Sequence, residues 1–515
     1  MAYVRAIAFA TADPRTMRRR FSFRRPATLR AATLLAGAAL TAPAASAQRT
    51  PDGRTADQQA ARAIYRELVE INTVDSVGSV TRAAEAMAAR FRAAGFPAAD
   101  IQLLTPPGKP TKANLVVRYR GRGRAGAGKP ILLLAHLDVV AANRADWPRD
   151  PFILHEENGY FLGRATADDK AMAAIFVANL LRYKREGWVP SRDLILALTA
   201  DEEGGDANGV EWLVRTHRDV IDAAYALNEG GGGVLTAEGG VAAARPVLHA
   251  VQAAEKVPVN YTLTATNPGG HSSVPRPDNA IYQLTDALGR LARYEFSVAL
   301  NPVTRAFFAR TAAVEPRAEM AAAMRALTAA TTDSAAVATA AATLSRDPRY
   351  HSTLRTTCVA TRLTGGHAYN ALPQTATANV NCRIVPTSSA EEVRAALAHV
   401  VADTGVGVTY TIPPTDRFGA APSPIDSGLM AAVTDLTRRT WGDIPVIPTM
   451  STGATDGRFL RAAGVPTYGV SGLFSAPGES NAHGRDEKLR VKSFYEGLEF
   501  LYALVQRVAG APAAL

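Results

Sequence analysis

The chain has 515 residues, a length that predicts more than one domain. Hydrophobic residues make up 47% of it and charged residues 20%, which is ordinary for a globular protein. Its formal net charge is +10, but residues 1–47 hold eight arginines and one aspartate, which leaves +3 for the rest of the chain. This distribution gives no electrostatic reason to expect nucleic-acid binding.

The N-terminal segment has the pattern of an export signal. A basic stretch (MRRRFSFRRPATLR) precedes a short apolar stretch (AATLLAGAALTAPAA), and the small residues Ala45, Ser46 and Ala47 fit a cleavage site before Gln48. The run RRRF also allows twin-arginine export. We predict a signal peptide over residues 1–47 and an exported protein, periplasmic or secreted, with no stable membrane anchor after cleavage. A basic tail or a membrane anchor is the alternative.

Beyond this signal, helical and strand-like segments alternate. Residues 55–97 have helical periodicity, and AMAAIFVANLLRYKREG is a helix of good length. The strand-like segments are ANLVVRYRG, KPILLLAHLDVV, DLILALTA and AYALNEGG. This alternation predicts an α/β fold with a mostly parallel central sheet. We assign residues 48–247 to the first part of a catalytic domain.

The pattern changes near residue 250. PVNYTLTATN alternates as a half-exposed strand does, and LRTTCVATRLTGG and TATANVNCRIVP add two more strands. The alanine-rich residues 303–345 favour packed helices. We predict an inserted α+β lid over residues 248–412, enlarged by these helices, and the second part of the catalytic domain over residues 413–515.

The two cysteines, Cys358 and Cys382, fall in two different strands of the predicted lid. Two thiols are too few for a cysteine zinc site. In an oxidising compartment they can pair across the sheet, and the alternative is a pair of buried free thiols.

Five residues have side chains and local sequences suited to metal binding. They are His136 in ILLLAHLDVV, Asp168 in GRATADDKA, Glu203 in TADEEGG, Glu229 in ALNEGGGG and His483 in NAHGRDEKL. We expect them at or just after the carboxyl ends of strands, where open α/β sheets place their sites. Two imidazoles and three carboxylates suit zinc or a similar divalent ion.

Two more acidic residues adjoin these candidates. Asp138 points to the same strand face as His136, where it can accept a hydrogen bond from a metal-bound imidazole; direct ligation is also compatible with the spacing. Glu202 precedes Glu203, so one glutamate can bind metal while the other accepts a proton from water. Each motif alone is compatible with a turn, a helix cap or an exposed loop. Together they indicate a two-metal hydrolase.

The ordered motifs HLDVV, GRATADDK, DEEGG, NEGG, GGHSSVP, NALP, GATDGRF and AHGRDE carry a resemblance to a known family. From about residue 55 to residue 510 the chain resembles the two-zinc aminoacylase and carboxypeptidase family, the family 20 metallopeptidases. That family includes acetylornithine deacetylase, succinyl-diaminopimelate desuccinylase, glutamate carboxypeptidase and carboxypeptidase S. The resemblance implies a zinc-peptidase α/β domain with an inserted lid.

The resemblance also implies a role for each motif residue. One divalent ion would be bound by His136, Asp168 and Glu229, and the other by Asp168, Glu203 and His483. Zinc is the expected metal, with cobalt or manganese as alternatives. Glu202 matches the general base, and Asp138 matches the aspartate behind the histidine ligand.

In the lid, the resemblance implies three residues that contact the substrate. His271 matches a histidine that stabilises the tetrahedral intermediate, either from a partner subunit or after lid closure. Asn370 and Arg383 match substrate contacts, and an arginine suits a free carboxylate through a bidentate pair. Two small departures, Ala171 and Ala454, remove no ligand. The extra helices resemble the carboxypeptidase S branch and leave dimerisation open.

Two activities are compatible with these residues. One is a carboxypeptidase or dipeptidase acting on small peptides, and the other is an aminoacylase acting on N-acyl amino acids, since both substrates present an amide next to a free carboxylate. A non-catalytic binding protein with the same fold is the third interpretation, and the complete ligand set argues against it.

Overall fold

The computed structural model describes residues 53–123, 128–237, 240–329, 333–412 and 420–510. The predicted signal peptide over residues 1–47 lies outside the described residues. Within them, the helices in chain order are α1 (Ala56–Glu70), α2 (Val80–Ala93), α3 (Lys170–Glu186), α4 (Gly209–Thr216), α5 (Arg218–Ile221), α6 (Gly240–Ala243), α7 (Ala280–Arg293), α8 (Pro302–Thr311), α9 (Ala318–Thr328), α10 (Ser334–Leu344), α11 (Pro348–Leu354), α12 (Ala390–Val401), α13 (Gly428–Trp441), α14 (Gly457–Ala462) and α15 (Val491–Gly510).

The strands of the described residues belong to a large central sheet, a lid sheet and smaller ladders. In chain order they are β1 (Ile101–Leu104), β2 (Asn114–Tyr119), β3 (Ile131–His136), β4 (His155–Glu157), β5 (Tyr160–Leu162), β6 (Leu194–Thr199), β7 (Tyr225–Asn228), β8 (Gly232–Leu235), β9 (Pro246–Glu255), β10 (Val257–Thr266), β11 (Gly270–His271), β12 (Thr357–Gly365), β13 (Ala371–Leu372), β14 (Thr375–Ile384), β15 (Val406–Tyr410), β16 (Val446–Ser451), β17 (Thr467–Gly469), β18 (Phe474–Ser475) and β19 (Lys488–Arg490).

The central sheet is mixed. Its strands lie in the order β1–β2–β6–β3–β7–β17–β9–β8–β18, and β16 pairs with β9 beside this path. The middle strands β6, β3, β7 and β17 run parallel to one another. Antiparallel pairs lie on either side, as β1 with β2 and β8 with β9. The predicted α/β fold is confirmed.

Helices cover both faces of this sheet. On one face, α3 packs between β3, α1 and α15, and 12 of its 17 residues are buried, most of them alanine or large apolar residues. The helix ends at Gly187, whose φ of 69° gives the left-handed turn that closes a helix. On the other face a smaller apolar cluster joins α4, α5 and α14 to the sheet.

The inserted segment forms an antiparallel sheet in the order β12–β14–β10–β15, with α7 and α12 packed against it. A disulfide joins Cys358 to Cys382, which face each other in the register of β12 and β14. The cysteines therefore adopt the paired arrangement, one of the two alternatives that the sequence left open.

The alanine-rich region is helical as predicted, and it forms an apolar cluster of its own from α8 to α11. Helix α8 packs against β16 of the central sheet, where Arg310 donates a hydrogen bond of 2.9 Å to the carbonyl oxygen of Val446. These helices belong to the inserted segment, and they also pack against the central sheet.

None of the helices that the structure describes is both long enough and apolar enough to cross a membrane.

Candidate metal centre

The five predicted ligands lie at one edge of the central sheet. His136 is the last residue of β3, Glu203 lies in the loop after β6, and Glu229 directly follows β7. Since β6, β3 and β7 are parallel neighbours, their carboxyl ends lie side by side. Asp168 precedes α3, which packs on β3, and His483 lies in the loop before β19.

Asp168 lies between the two imidazoles. Its Oδ1 is 3.0 Å from Nε2 of His136, and its Oδ2 is 3.2 Å from Nε2 of His483. One carboxylate therefore presents a separate oxygen to each imidazole. This is the arrangement that a carboxylate bridging two metal ions requires.

Each imidazole also has a glutamate beside it. Oε2 of Glu229 is 3.7 Å from Nε2 of His136, and Oε1 of Glu203 is 2.9 Å from Nε2 of His483. Candidate ligand atoms of His136, Glu202 and Glu229 all lie within 4.8 Å of one another. Glu202 is therefore part of the same cluster, next to the ligand set predicted for one of the two ions.

Burial strongly perturbs the acidic groups of this cluster. Burial and the nearby carboxylate of Asp168 raise the pKa of Glu203 to about 7, and burial raises the pKa of Glu229 to about 7. For Glu202, burial and the charge of Glu229 raise the pKa to about 10. The pKa of Asp168 is lowered, because hydrogen bonds to the two imidazoles outweigh its burial. Bound cations would favour the ionised form of all four carboxyl groups.

Asp138 holds the turn that carries Glu202 and Glu203. Its Oδ1 accepts a hydrogen bond of 3.1 Å from the N–H of Glu202, and its Oδ2 accepts one of 2.9 Å from the N–H of Glu203. The carbonyl oxygen of Asp138 lies 3.0 Å from Nδ1 of His136. Since a carbonyl can only accept, Nδ1 carries the proton and Nε2 is left to bind metal. Asp138 therefore orients its neighbours, and the groups of candidate ligand atoms found among the described residues do not include its carboxylate.

A buried ion pair that the sequence did not predict connects two of the ligand loops. Arg164 and Glu487 are paired at 2.7 Å. Oε1 of Glu487 accepts hydrogen bonds from the N–H groups of Ala167 and Asp168, and Nη2 of Arg164 donates one of 3.3 Å to the carbonyl oxygen of His483. His483 itself has a φ of 64°, a strained conformation for a residue with a side chain. The pair fixes both loops, although its members are 323 residues apart.

A second unpredicted residue, Asp456, lies buried beneath the cluster. Its Oδ1 accepts a hydrogen bond of 2.7 Å from the side chain of Asn208, and its Oδ2 accepts one of 3.3 Å from the hydroxyl of Thr199. Burial raises the pKa of this carboxyl group to about 6. Asp456 belongs to the motif GATDGRF, and that motif alone did not indicate a role for it.

The predicted substrate residues of the lid lie in two places. His271 and Asn370 lie near each other at the exposed two-stranded ladder of β11 and β13, where the carbonyl oxygen of Asn370 accepts a hydrogen bond of 3.0 Å from the N–H of Ser272. Arg383 is half-buried in β14. Among the hydrogen bonds and ion pairs of the described residues, none joins these three side chains to the five metal ligands.

The donor set fits divalent cations. In the described part of the chain, the only basic groups within 4.0 Å of the carboxylates of Glu203 and Glu229 are the two imidazoles. Oε1 of Glu229 is buried without a hydrogen-bond partner. Carboxylates that cluster with so few positive charges beside them repel one another and lower the stability of the fold. Coordination to cations removes that repulsion.

Comparison with known proteins assigns the family. Residues 132–507 match the model of "Peptidase family M20/M25/M40". The chain therefore belongs to this family of metallopeptidases and amidohydrolases, as its motifs predicted.

Relatives and solved structures are consistent with this assignment. The chain is 25% identical over 384 residues to the N-fatty-acyl-amino acid synthase/hydrolase PM20D1 of Homo sapiens, covering 73% of this chain and 74% of the relative. It is 26% identical over 416 residues to a probable carboxypeptidase S-like 2 of Dictyostelium discoideum, covering 76% and 74%. The crystal structure of the M20 family metallo-carboxypeptidase Sso-CP2 from Sulfolobus solfataricus shares the fold, with a TM-score of 0.62 and 17% identity over 87% of this chain and 98% of that one.

Proposed function

We propose that the protein is an exported, zinc-dependent hydrolase of the carboxypeptidase or dipeptidase type, which cleaves an amide bond next to a free carboxylate. The observation that carries this proposal is the position of Asp168, with one carboxylate oxygen facing each imidazole and Glu202 beside them. A peptide or an N-acyl amino acid offers the amide on which such a site can act.

In this proposal each residue has the role that the family resemblance implied. His136, Asp168 and Glu229 would hold one zinc ion, and Glu203 and His483, together with Asp168, the other. Bound zinc supplies Lewis acidity and makes water a stronger acid near neutral pH. Glu202 accepts the proton of the attacking water and later donates it to the leaving amine. Asp138 keeps Glu202 in place through its backbone.

The lid residues supply substrate recognition in this proposal. Arg383 pairs with the free carboxylate of the substrate, for which a guanidinium has matching bidentate geometry. His271 and Asn370 lie together at an exposed two-stranded ladder, so they approach the amide when the lid closes or from a second subunit. Sedimentation equilibrium separates these two routes, because the second one requires the molar mass of a homodimer.

The first experiment is a paired substrate panel with the zinc-loaded protein that begins at Gln48. Dipeptides, longer peptides and N-acyl amino acids are each offered with a free or an amidated C-terminus. We expect cleavage that requires the free carboxylate. Equal cleavage of the amidated set would contradict the role of Arg383, and no cleavage of any amide would favour a binding protein.

The variant Glu202→Gln tests the mechanism separately. The amide side chain keeps the size of the glutamate but cannot accept the proton, so we expect kcat to fall by about 10²–10⁴-fold. Zinc content, measured by atomic emission, should stay at the wild-type value because Glu202 is not one of the proposed ligands. Turnover close to wild type would exclude Glu202 as the base.

An alternative activity is hydrolysis of N-acyl amino acids. It is favoured by the similarity to a protein named N-fatty-acyl-amino acid synthase/hydrolase, over 73% of this chain. The panel separates the two activities, since an aminoacylase would have its highest kcat/KM on the acyl amino acids and a peptidase on the unblocked dipeptides.

Export is supported by the predicted signal peptide and by the disulfide, because disulfides persist in oxidising compartments. N-terminal sequencing of the protein recovered from the periplasm or medium tests it. We expect a mature N-terminus at Gln48, and full-length protein in the cytoplasm would contradict export.

A further inference from the structure

Lys256 occupies the link between the two sheets. β9 of the central sheet ends at Glu255 and β10 of the lid sheet begins at Val257, so one residue carries the chain from one sheet to the other. Its backbone N–H donates a hydrogen bond of 3.0 Å to the carbonyl oxygen of Ser451 at the end of β16. The residue is fully buried, with 0% exposure.

Among the described residues, the hydrogen-bond partners of the Lys256 ammonium group are two hydroxyl groups. Its Nζ donates hydrogen bonds of 3.1 Å to the hydroxyl of Ser352 and of 3.3 Å to the hydroxyl of Thr357. Among the described residues, no carboxylate lies within 4.0 Å of it. The adjacent Glu255 is instead paired with Arg461 at 2.6 Å. Burying an ammonium group without a paired anion lowers the stability of the folded protein, so a lysine at this position suggests a functional role.

Arg383 lies directly beside the residues that hold Lys256. In the lid sheet, Arg383 of β14 faces Thr357 of β12 on one side and Pro258 of β10 on the other. Arg383 likewise has no carboxylate of a described residue within 4.0 Å. Burial and the charge of Arg383 lower the pKa of Lys256 to about 7. Lys256 and Arg383 are therefore neighbouring cations, and among the described residues neither has a carboxylate within 4.0 Å. The positive charge of Arg458 also acts on Arg383.

We propose that Lys256 is a positioning and specificity-determining residue for substrates with a free carboxylate next to the amide. It holds Thr357 and, through Thr357, the sheet position of Arg383 in the neighbouring strand. It also adds a positive charge behind the guanidinium of Arg383. This inference rests on the proposed function, in which Arg383 contacts the carboxylate. Lys256, which is fully buried, acts on the substrate through Arg383 and through its charge.

The other charged groups around Lys256 leave its charge uncompensated. On the α11 side lie His351 and Arg355, and Arg355 is paired with Glu295. On the β9 side Glu255 is occupied by Arg461. Both of these carboxylates already have an arginine partner, so the arrival of a substrate carboxylate at Arg383 adds an anion and favours the protonated form of Lys256. Binding of the acid should therefore take up protons, whereas binding of the corresponding amide should not.

The test compares zinc-loaded wild type with Lys256→Met, which keeps the length of the side chain and removes the charge. The substrates are one N-acyl amino acid or dipeptide and its C-terminal amide, and Lys129→Met at the exposed Lys129–Asp222 pair is the control. We expect Lys256→Met to raise KM for the acid roughly tenfold, as the loss of one charge at short range in a partly buried site predicts. KM for the amide and both kcat values should stay within about threefold of wild type.

The outcomes separate this inference from the proposed function. A wild-type enzyme without preference for the acid would overturn the carboxylate role of Arg383 and, with it, that of Lys256. A wild-type preference that persists unchanged in Lys256→Met would overturn the role of Lys256 alone. Equal losses on acid and amide would show a purely structural role and would also overturn it.

A second measurement does not depend on the folding of the Lys256 variant. Binding of the acid and of the amide to zinc-loaded Glu202→Gln enzyme is followed by calorimetry at pH 7.5, in two buffers with different ionisation enthalpies. Protons released at the metal centre contribute to the binding of both ligands, so they cancel when the proton uptake with the amide is subtracted from that with the acid. We expect net proton uptake with the acid alone, and identical proton balances for both ligands would contradict the proposal.

Discussion

Replacement of Asp138 by alanine is the sharpest test of how this site is built. The carboxylate is 2% exposed and accepts the N–H groups of Glu202 and Glu203 at 3.1 and 2.9 Å. Alanine leaves both donors without a partner, and each unpaired buried group costs about 1–3 kcal/mol. We therefore expect the free energy of unfolding to fall by about 2–6 kcal/mol.

Removing the negative charge of Asp138 also relieves repulsion within the acidic cluster, which raises the free energy of unfolding. The pH of the assay must therefore be chosen to keep this repulsion small. At pH 6 Glu203 and Glu229, whose pKa values are about 7, are mostly protonated in the metal-free protein, and repulsion from Asp138 is weak. Urea unfolding of metal-free protein at this pH therefore measures mainly the hydrogen bonds. Asp138→Asn keeps one acceptor oxygen and should lose about half as much stability as Asp138→Ala.

Zinc affinity is the second readout of the same variant. Because the turn that Asp138 holds carries Glu203, we expect Asp138→Ala to weaken zinc binding about 10–100-fold, the usual effect of removing a residue that orients metal ligands. The control is Asp206→Ala, which removes an exposed aspartate from the same loop and should change neither quantity measurably. Unchanged stability and unchanged zinc affinity in Asp138→Ala would refute the reasoning.

Three further predictions follow from the same structure. The raised pKa values of Glu203 and Glu229 mean that the folded metal-free protein binds protons more tightly than the unfolded chain, so its melting temperature should fall as pH rises from about 4.5 to about 7. Saturating zinc should remove or reverse this trend, and a metal-free protein that becomes more stable over this range would contradict it. Arg164→Met leaves the buried carboxylate of Glu487 unpaired and should lower the free energy of unfolding by about 3–5 kcal/mol in urea, against little change for the exposed Arg215→Met. Replacement of both disulfide cysteines by serine opens a link across a separation of 24 residues and should cost about 3 kcal/mol, which a chemical denaturation series would detect; an identical midpoint and slope would count against it.

The five predicted ligands could be selected from the sequence because most of them lie in a short motif beside the end of a strand or the start of a helix. His136 and Glu229 end or follow parallel strands, and the topology of such sheets places those ends together. Residues that act by supporting others were not predicted. The pairing of Arg164 with Glu487 spans 323 residues and depends on how two loops meet, which no local pattern records.

The lid was predicted less completely for a related reason. Its strands and helices follow from periodicity, but the packing of α8 on β16 and the position of Lys256 depend on contacts between distant segments. A lysine in a strand-like stretch is normally a solvent-exposed residue. Only the three-dimensional structure shows that this one is buried between two sheets.

The disulfide has a consequence for how the protein can be produced. Among the described strands β12 is an edge strand that pairs with β14 alone, and its side chains Val359 and Leu363 are 59% and 56% exposed. The link between Cys358 and Cys382 anchors the beginning of this strand to its only neighbour. If the chain is synthesised in a reducing cytoplasm, the strand loses that anchor, and its release would open a new sheet edge on β14 to association with other chains. Recombinant material made there should therefore aggregate more readily than material folded under oxidising conditions.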